Sequence, residues 1–246
     1  MKTVAILGTF DTKGAEYAYL KELLEDLGVK TFTIHAGVFD PVFTPDVSNR
    51  EVAAAAGADI KEIADKKDRA YATEVLAKGT EILVPRLYQE GKFDGIISLG
   101  GSGGTSLATP AMRALPIGVP KVMVSTMASG NTEQYVGTSD IVMIPSVVDV
   151  AGLNTISTKI FGNGAAAIAG MVNHENKKEG SGKPLVAATM FGVTTPCVNR
   201  VRDILEEKGY EVIVFHANGQ GGKMMESMIR EGMIGAAADV TTGELT

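Results

Sequence analysis

A chain of 246 residues is long enough for one large or two small domains. Hydrophobic residues make up 45% and charged residues 21%, which provides for a packed core and excludes wholesale disorder. A net charge of −6 without a basic block argues against nucleic-acid binding and against docking on an anionic membrane.

Lys2–Leu7 is a short apolar run ending at Gly8, the pattern of a buried parallel strand. The turn Thr9-Phe10-Asp11-Thr12-Lys13-Gly14 follows, and then Leu20, Leu23, Leu24 and Leu27 recur at helical spacing until Gly28. Lys30–Ile34 is the next strand, so a βαβ unit closes within the first 35 residues. Ser48 and Glu51 form a capping-box pattern before a helix over Val52–Ala56. Ala70–Leu76 and Ile82–Tyr88 read as further helix. Asp94–Leu99 is a strand running into Gly100-Gly101-Ser102-Gly103-Gly104-Thr105, where a helix starts that continues through Leu115. Pro120–Val124 is a strand running into Ser125-Thr126-Met127-Ala128-Ser129-Gly130-Asn131, and Ile141–Ile144 is another. A small-residue helix covers Ile156–Val172, and the charged, glycine-containing stretch 177–184 reads as a linker.

Beyond the linker the opening pattern returns. A shift of 181 residues aligns Phe10 with Phe191, Leu24-Glu25 with Leu205-Glu206, Gly28 with Gly209, and His35-Ala36 with His216-Ala217. After Val212–Phe215 and a helix near Met224–Ile229, only the run Ile234–Val240 remains, and three strands make a poor independent sheet. The expected fold is α/β: two related Rossmann-like subdomains with parallel sheets, over 1–176 and 184–246, the second incomplete. Its open edges and apolar faces predict a homo-oligomer.

No apolar run approaches the ~18 residues of a membrane span, and MKTVAILG lacks the features of a secretory leader. The one cysteine, Cys197, forbids an internal disulfide and fits a reducing cytoplasm; a buried structural thiol is its expected state. Three scattered histidines give no metal-site spacing. His35 and His216 end equivalent strands, where a hydrogen-bonded histidine is expected. Met123, Met127 and Met143 read as core residues, and Asp140 and Asp149 as turn residues.

The excess is glycine, 29 residues or roughly 12% against an average of about 7%. Ligands of an open parallel sheet bind beyond the carboxyl ends of its strands, and three glycine- or hydroxyl-rich turns fall there: 8–14, 100–105 and 125–131. Glycine lets backbone N–H groups approach an anion, and a helix N-terminus adds unpaired N–H groups and a positive dipole end. Ser102, Thr105, Ser125 and Ser129 add hydroxyl donors. The chemistry these turns suit is phosphate. None is a Walker A loop, since Lys13 precedes Gly14, and Ser106 stands where the third glycine of a dinucleotide fingerprint belongs. Asp11 and Lys13 have two readings. In one, Lys13 neutralises phosphate while Asp11 holds Mg2+ or orients the lysine; in the other, Asp11 is a helix N-cap and Lys13 a solvated charge.

The segments Gly8–Lys13, Gly100–Thr105 and Ser125–Gly130, in this order, resemble the three signatures of a nucleotide-binding family. Its founding member is the ATP-binding N-terminal domain of a tobamovirus-resistance protein, and the similarity extends over essentially the whole chain. The resemblance implies two Rossmann-like subdomains, self-association and ATP as ligand, and Mg2+ bound with the ATP is a further expectation. It implies nucleotide contacts from Thr9, Asp11, Thr12 and Lys13, from Gly100, Gly101, Ser102, Gly103, Gly104 and Thr105, and from Ser125, Met127, Ala128, Ser129 and Gly130. Gly101–Thr105 is expected to cradle phosphate, with Met127–Gly130 nearer the sugar or base. Family members run on past Thr246. Two rival functions use the same loops: an enzyme acting on a phosphorylated sugar or small acid, and a non-catalytic interaction module stabilised by nucleotide.

Overall fold

The computed structural model describes residues 1–174, 180–217 and 219–241. The chain divides into two compact units, Met1–His174 and Glu175–Thr246. The linker pattern at 177–184 lies in part, over 177–179, outside the described residues.

The first unit runs β1 (Thr3–Gly8), α1 (Gly14–Asp26), β2 (Lys30–His35), α2 (Asn49–Ala55), α3 (Ile60–Asp65), α4 (Arg69–Gln89), β3 (Gly95–Gly100), α5 (Ser102–Arg113), β4 (Lys121–Ser125), α6 (Glu133–Val136), β5 (Val142–Pro145) and α7 (Thr155–Asn173). Its five strands are parallel in the order β2-β1-β3-β4-β5, so the winding reverses direction between β1 and β3. Alternate residues of each strand feed opposite layers, as the two-residue period of a strand requires. Ala5 and Leu7 of β1 face the core formed with α2, α3, α4 and α5, through Val52, Ile63, Leu76, Leu83 and Leu107. Val4 and Ile6 face the other core, formed with α1 and α7 through Tyr17, Leu20, Leu24, Phe161 and Ile168. A doubly wound sheet buries its strands on both faces, which is why they read as unbroken apolar runs.

Local chemistry accounts for the element ends. Ser48 and Glu51 form the capping box expected for α2, with Ser48 Oγ accepting from Glu51 N–H at 3.3 Å and Glu51 Oε2 accepting from Ser48 N–H at 2.8 Å. The two helical stretches expected around Leu76 and Leu83 are one helix, α4, which continues through Pro85. Proline removes one helical hydrogen bond there, and the packing of Leu83, Val84 and Leu87 into the core holds the helix together. Helix α3 went unread in the sequence, although Asp59 caps it by accepting from Lys61 N–H at 2.7 Å.

The second unit contains β6 (Leu185–Met190), α8 (Thr195–Glu207), β7 (Glu211–His216), α9 (Gly221–Arg230) and β8 (Ala236–Ala238). Its strands are parallel in the order β7-β6-β8, the counterpart of β2-β1-β3. The likeness reaches single residues. Gly28 and Gly209 end their helices with φ of 75° and 89°, in the left-handed region that glycine enters without a Cβ clash. The Phe10 and His35 rings lie 5.4 Å apart, and the Phe191 and His216 rings 5.6 Å. The two units are therefore related α/β layers, the second with three strands among the described residues. Cys197, expected to be buried, is exposed on α8. Among the described residues no helix is long and apolar enough to cross a membrane.

Candidate functional site

A cavity of about 870 Å³ opens in the first unit at the carboxyl ends of β1 and β3. This is the reversal point of the sheet, where the loops after β1 and β3 leave toward opposite faces and part to form a crevice. Thr9, Asp11, Thr12 and Lys13 line it from the first loop, and Gly100 to Gly104 from the second. Met127 joins them from the turn after β4. Three stretches far apart in the sequence thus meet on one cavity.

The Gly100–Thr105 turn is built around close backbone approach. A Cβ on Gly100 would lie 2.8 Å from Gly104 Cα, so only glycine lets α5 start directly against the end of β3. Gly101 is the N-cap of α5 and supplies no side-chain cap. Thr105 N–H is the first to close a helical bond, onto Gly101 O at 2.9 Å. The N–H groups of Ser102, Gly103 and Gly104 have no acceptor among the described residues. They are orphan donors at the positive end of a twelve-residue helix.

Thr105 and Ser125 do not line the cavity. Thr105 is fully buried, its Oγ1 donating to Gly101 O at 2.7 Å and pairing with Ser125 Oγ at 2.6 Å, while Ser125 Oγ accepts from Met127 N–H at 2.9 Å. These hydroxyls tie the second loop to the third. Ala128, Ser129 and Gly130 also lie outside the lining, whereas Thr126, not anticipated, lies within it.

In the first loop Asp11 is not the N-cap of α1; Lys13 occupies that position without a capping bond. Asp11 Oδ1 accepts from Thr12 N–H at 2.8 Å and its Oδ2 from Phe39 N–H at 3.0 Å, which fastens this loop to the one after β2. Lys13 Nζ donates to Val150 O, so the lysine is not a free solvated charge. Thr12 Oγ1 donates to Thr9 Oγ1 at 3.0 Å.

His35 is fully buried at the end of β2, as a hydrogen-bonded strand-end histidine should be. Its Nδ1 accepts from Phe10 N–H at 3.1 Å, which leaves the proton on Nε2 to be donated to Phe39 O at 2.9 Å. Tyr17 of α1 secures the end of β3. Its hydroxyl donates to Leu99 O at 2.5 Å and accepts from Leu99 N–H at 3.2 Å. Burial, only partly offset by these bonds and by Ser98, pushes the phenol up to about 12.

The cavity wall from α3 and α4 was not legible in the sequence. Ile63 and Ala64 of α3, the connecting residue Lys67, and Asp68, Arg69, Ala72, Thr73 and Leu76 at the start of α4 all line it. The available signals were Asp59 three residues before Glu62 and Asp68 ahead of a long helical pattern, both caps. Asp68 accepts from Ala70 and Tyr71 N–H at 2.9 and 3.1 Å. Arg69 approaches the Gly100–Thr105 turn, its Nη2 3.4 Å from where a side chain on Gly103 would begin. Its guanidinium has no carboxylate or carbonyl partner among the described residues. Asp149, read in the sequence as a turn residue, also lines the cavity, its Oδ1 3.8 Å from the corresponding point on Gly101.

The run Gly100-Gly101-Ser102-Gly103-Gly104 also fits the G-x-S-x-G pattern of a nucleophile elbow. That chemistry needs a strained serine with a histidine base beside it. Ser102 is an ordinary first residue of α5 with no positive φ, and the lining contains no histidine. The orphan amides and the arginine suit an anion instead.

Residues 2–177 match the family model described as "Uncharacterised protein family (UPF0261) N-terminal domain", and residues 183–246 match its C-terminal domain. A UPF0261 protein of Clostridium tetani is 52% identical over 99% of this chain and 60% of its own length. A UPF0261 protein of Mesorhizobium japonicum is 41% identical over 100% of this chain and 60% of its own. The ToMV susceptible protein tm-1(GCR26) of Solanum lycopersicum is 41% identical over 98% of this chain and 35% of its own. The chain thus spans about 60% of the length of these bacterial relatives. The tomato ToMV proteins are relatives by sequence, and on the match of both domain models the chain belongs to the UPF0261 family.

Proposed function

We propose that the first unit binds ATP, with the phosphates on the amides of Ser102, Gly103 and Gly104 and the nucleoside in the rest of the cavity. One observation carries the reading. Loops some ninety residues apart in the chain (about 90 by their positions after β1 and β3) open on one cavity at the sheet's reversal point, where three orphan amides and an unpaired arginine converge. The volume of about 870 Å³ is in the range of small-molecule sites and well beyond what a lone phosphate fills. The choice of ATP rests on the resemblance of the three loop sequences to the nucleotide-binding family.

Among the described residues no group of three or more His, Cys, Asp or Glu side chains is placed to hold a metal ion. Mg2+ would therefore arrive with the nucleotide and be shared between phosphate oxygens and a carboxylate. Asp11 and Asp68 already accept backbone N–H groups, and Asp149 is the lining carboxylate without such a bond. Asp149 would be the protein's ligand to that ion.

Titration calorimetry with ATP, ADP and a set of sugar phosphates tests the reading. ATP is expected to bind, and Gly103→Asp, which sets a carboxylate at the amide cradle, is expected to weaken ATP at least about tenfold without lowering the melting temperature, since an acidic residue suits a helix start. Tight binding of a sugar phosphate with no response to ATP would replace this reading with that of a sugar-phosphate enzyme.

A further inference from the structure

Phe39 is the only aromatic residue in the cavity lining among the described residues, and it is 65% exposed. Its neighbours in the same loop cluster are treated differently. Phe10 is fully buried, stacked on Phe43 at 4.7 Å and on His35 at 5.4 Å, and tilted against Tyr17 at 5.1 Å. Phe39 has no ring partner among the described residues.

An exposed phenylalanine on a loose loop would be unremarkable. The backbone of this one is locked. Its N–H donates to Asp11 Oδ2 at 3.0 Å, and its carbonyl accepts from His35 Nε2 at 2.9 Å and from Asn49 Nδ2 at 3.1 Å. Asn49 also donates to Gly37 O at 2.9 Å and to Val38 O at 3.3 Å. His35 is fully buried and Asn49 is 7% exposed, so these are interior groups spent on a surface residue. They come from three separate places: the loop after β1, the end of β2 and the start of α2. The backbone that carries the ring is therefore held in a fixed place at the cavity, and most of the residue is left uncovered.

We infer that Phe39 is the stacking platform for the planar base of the bound nucleotide. The inference rests on the reading of the cavity as a nucleotide site and adds to it the place of the base, on the loop after β2 instead of the 127–130 turn that the sequence favoured. A flat π-face on a fixed backbone, with only two side-chain torsions to order, loses little freedom when a base stacks on it, and such stacking tolerates any base, so the platform sets affinity for a nucleoside without selecting adenine. Asp11 then has a positioning task, coupling the phosphate-side loop to the base-side loop through the N–H of Phe39.

The test compares ATP with inorganic tripolyphosphate, which has the charge and lacks the base. Phe39→Ala is expected to weaken ATP by between about 5-fold and about 150-fold and to leave tripolyphosphate unchanged, while Phe39→Tyr keeps both. The chain has no tryptophan, so Phe39→Trp installs a lone indole reporter. ATP and GTP should quench it, and tripolyphosphate should not. Equal weakening of ATP and tripolyphosphate by Phe39→Ala, or no weakening of either, overturns the inference and leaves the phosphate site standing. Loss of ATP affinity in Met127→Ala but not in Phe39→Ala overturns it in favour of the third loop. A fall in the light-scattering mass of Phe39→Ala with ATP affinity intact shows the ring to be covered by a second copy of the chain instead. Wild-type protein that binds neither ligand removes the nucleotide reading and the platform together.

Discussion

Tyr17 shows how one side chain can set the geometry of the cavity without touching a ligand. Its hydroxyl satisfies both the carbonyl and the N–H of Leu99, the residue before Gly100. Tyr17→Phe leaves those two buried backbone groups without this partner and is expected to cost about 1–3 kcal/mol in urea unfolding. A second signature follows from its raised pKa. The neutral phenol is the form the fold prefers, so its contribution is whole below pH ~10, where the unfolded tyrosine ionises, and is lost as the pH rises toward about 12. Tyr17→Phe should remove that part of the alkaline loss of stability. Val147 holds a strained backbone. Its φ of 65° is costly for a β-branched residue, and it lies two positions before Asp149 on the loop whose Val150 carbonyl receives Lys13.

Among the elements, the join of α5 to β4 depends on a buried cation. Lys121, the first residue of β4, is fully buried, and its Nζ donates to Pro116 O at 2.7 Å, Val119 O at 3.0 Å and Asp140 Oδ1 at 2.6 Å. Burial alone would raise the Asp140 carboxyl, but the Lys121 bond and charge and the Gly118 N–H outweigh it and hold the group below its ordinary value. A depressed carboxyl stabilises the fold above the unfolded pKa, near pH 4, and the benefit disappears as the pH falls through the lower native value. Asp140→Asn should therefore flatten the acid limb of the stability curve. It should cost about 1–2 kcal/mol at pH 7, less than for a wholly buried pair because the Asp140 side chain is 39% exposed.

The elements also show what could be read from the sequence. Strands buried on both faces announced themselves as apolar runs, and Ser48 with Glu51, Gly28 and Gly209 marked helix ends by their chemistry. The loops after β1 and β3 were legible because glycine at 100 and 104 records a close approach. The wall from α3 and α4 was not, because Ile63, Arg69 and Leu76 reach the cavity only through the packing of α4 against α5. Phe39 and Asp149 were hidden for the same reason: a phenylalanine and an aspartate in loops have no pattern that tells which loops will meet. The break left between Leu76 and Ile82 does not exist, because Ala77, Gly79 and Thr80 are buried within the continuous α4, whereas Pro85, inside the expected helix, costs a bond without ending it.

For the molecule as a whole, the two units differ in how much core supports them. The first has a core on each face of its sheet. Among the described residues the second has one small cluster, Ala187, Phe215, Met225 and Ile234, while Phe191, Val193 and Tyr210 stay exposed. A three-stranded layer with so little interior is expected to open first. Limited proteolysis should trim it and leave a resistant fragment ending near His174, seen by mass spectrometry; cleavage that begins within the first unit would contradict this.

A polypeptide that spells one motif twice carries a rival for its own strands. The registers place Thr189 of β6 where β1 has Leu7, since Leu7 pairs with Ile34 and Thr189 with Phe215. Thr189 donates to Asp239 at 2.6 Å, and Leu7 sits in a dry core, so an exchange of the two strands would strand a hydroxyl among hydrocarbons and leave Asp239 without its donor. During synthesis the N-terminal copy leaves the ribosome first and can close before its competitor exists. Dilution from urea presents both copies at once, and then the mismatched hydroxyl counts against an exchange together with Met190, which would stand where Gly8 leaves no room for a Cβ beside Tyr17.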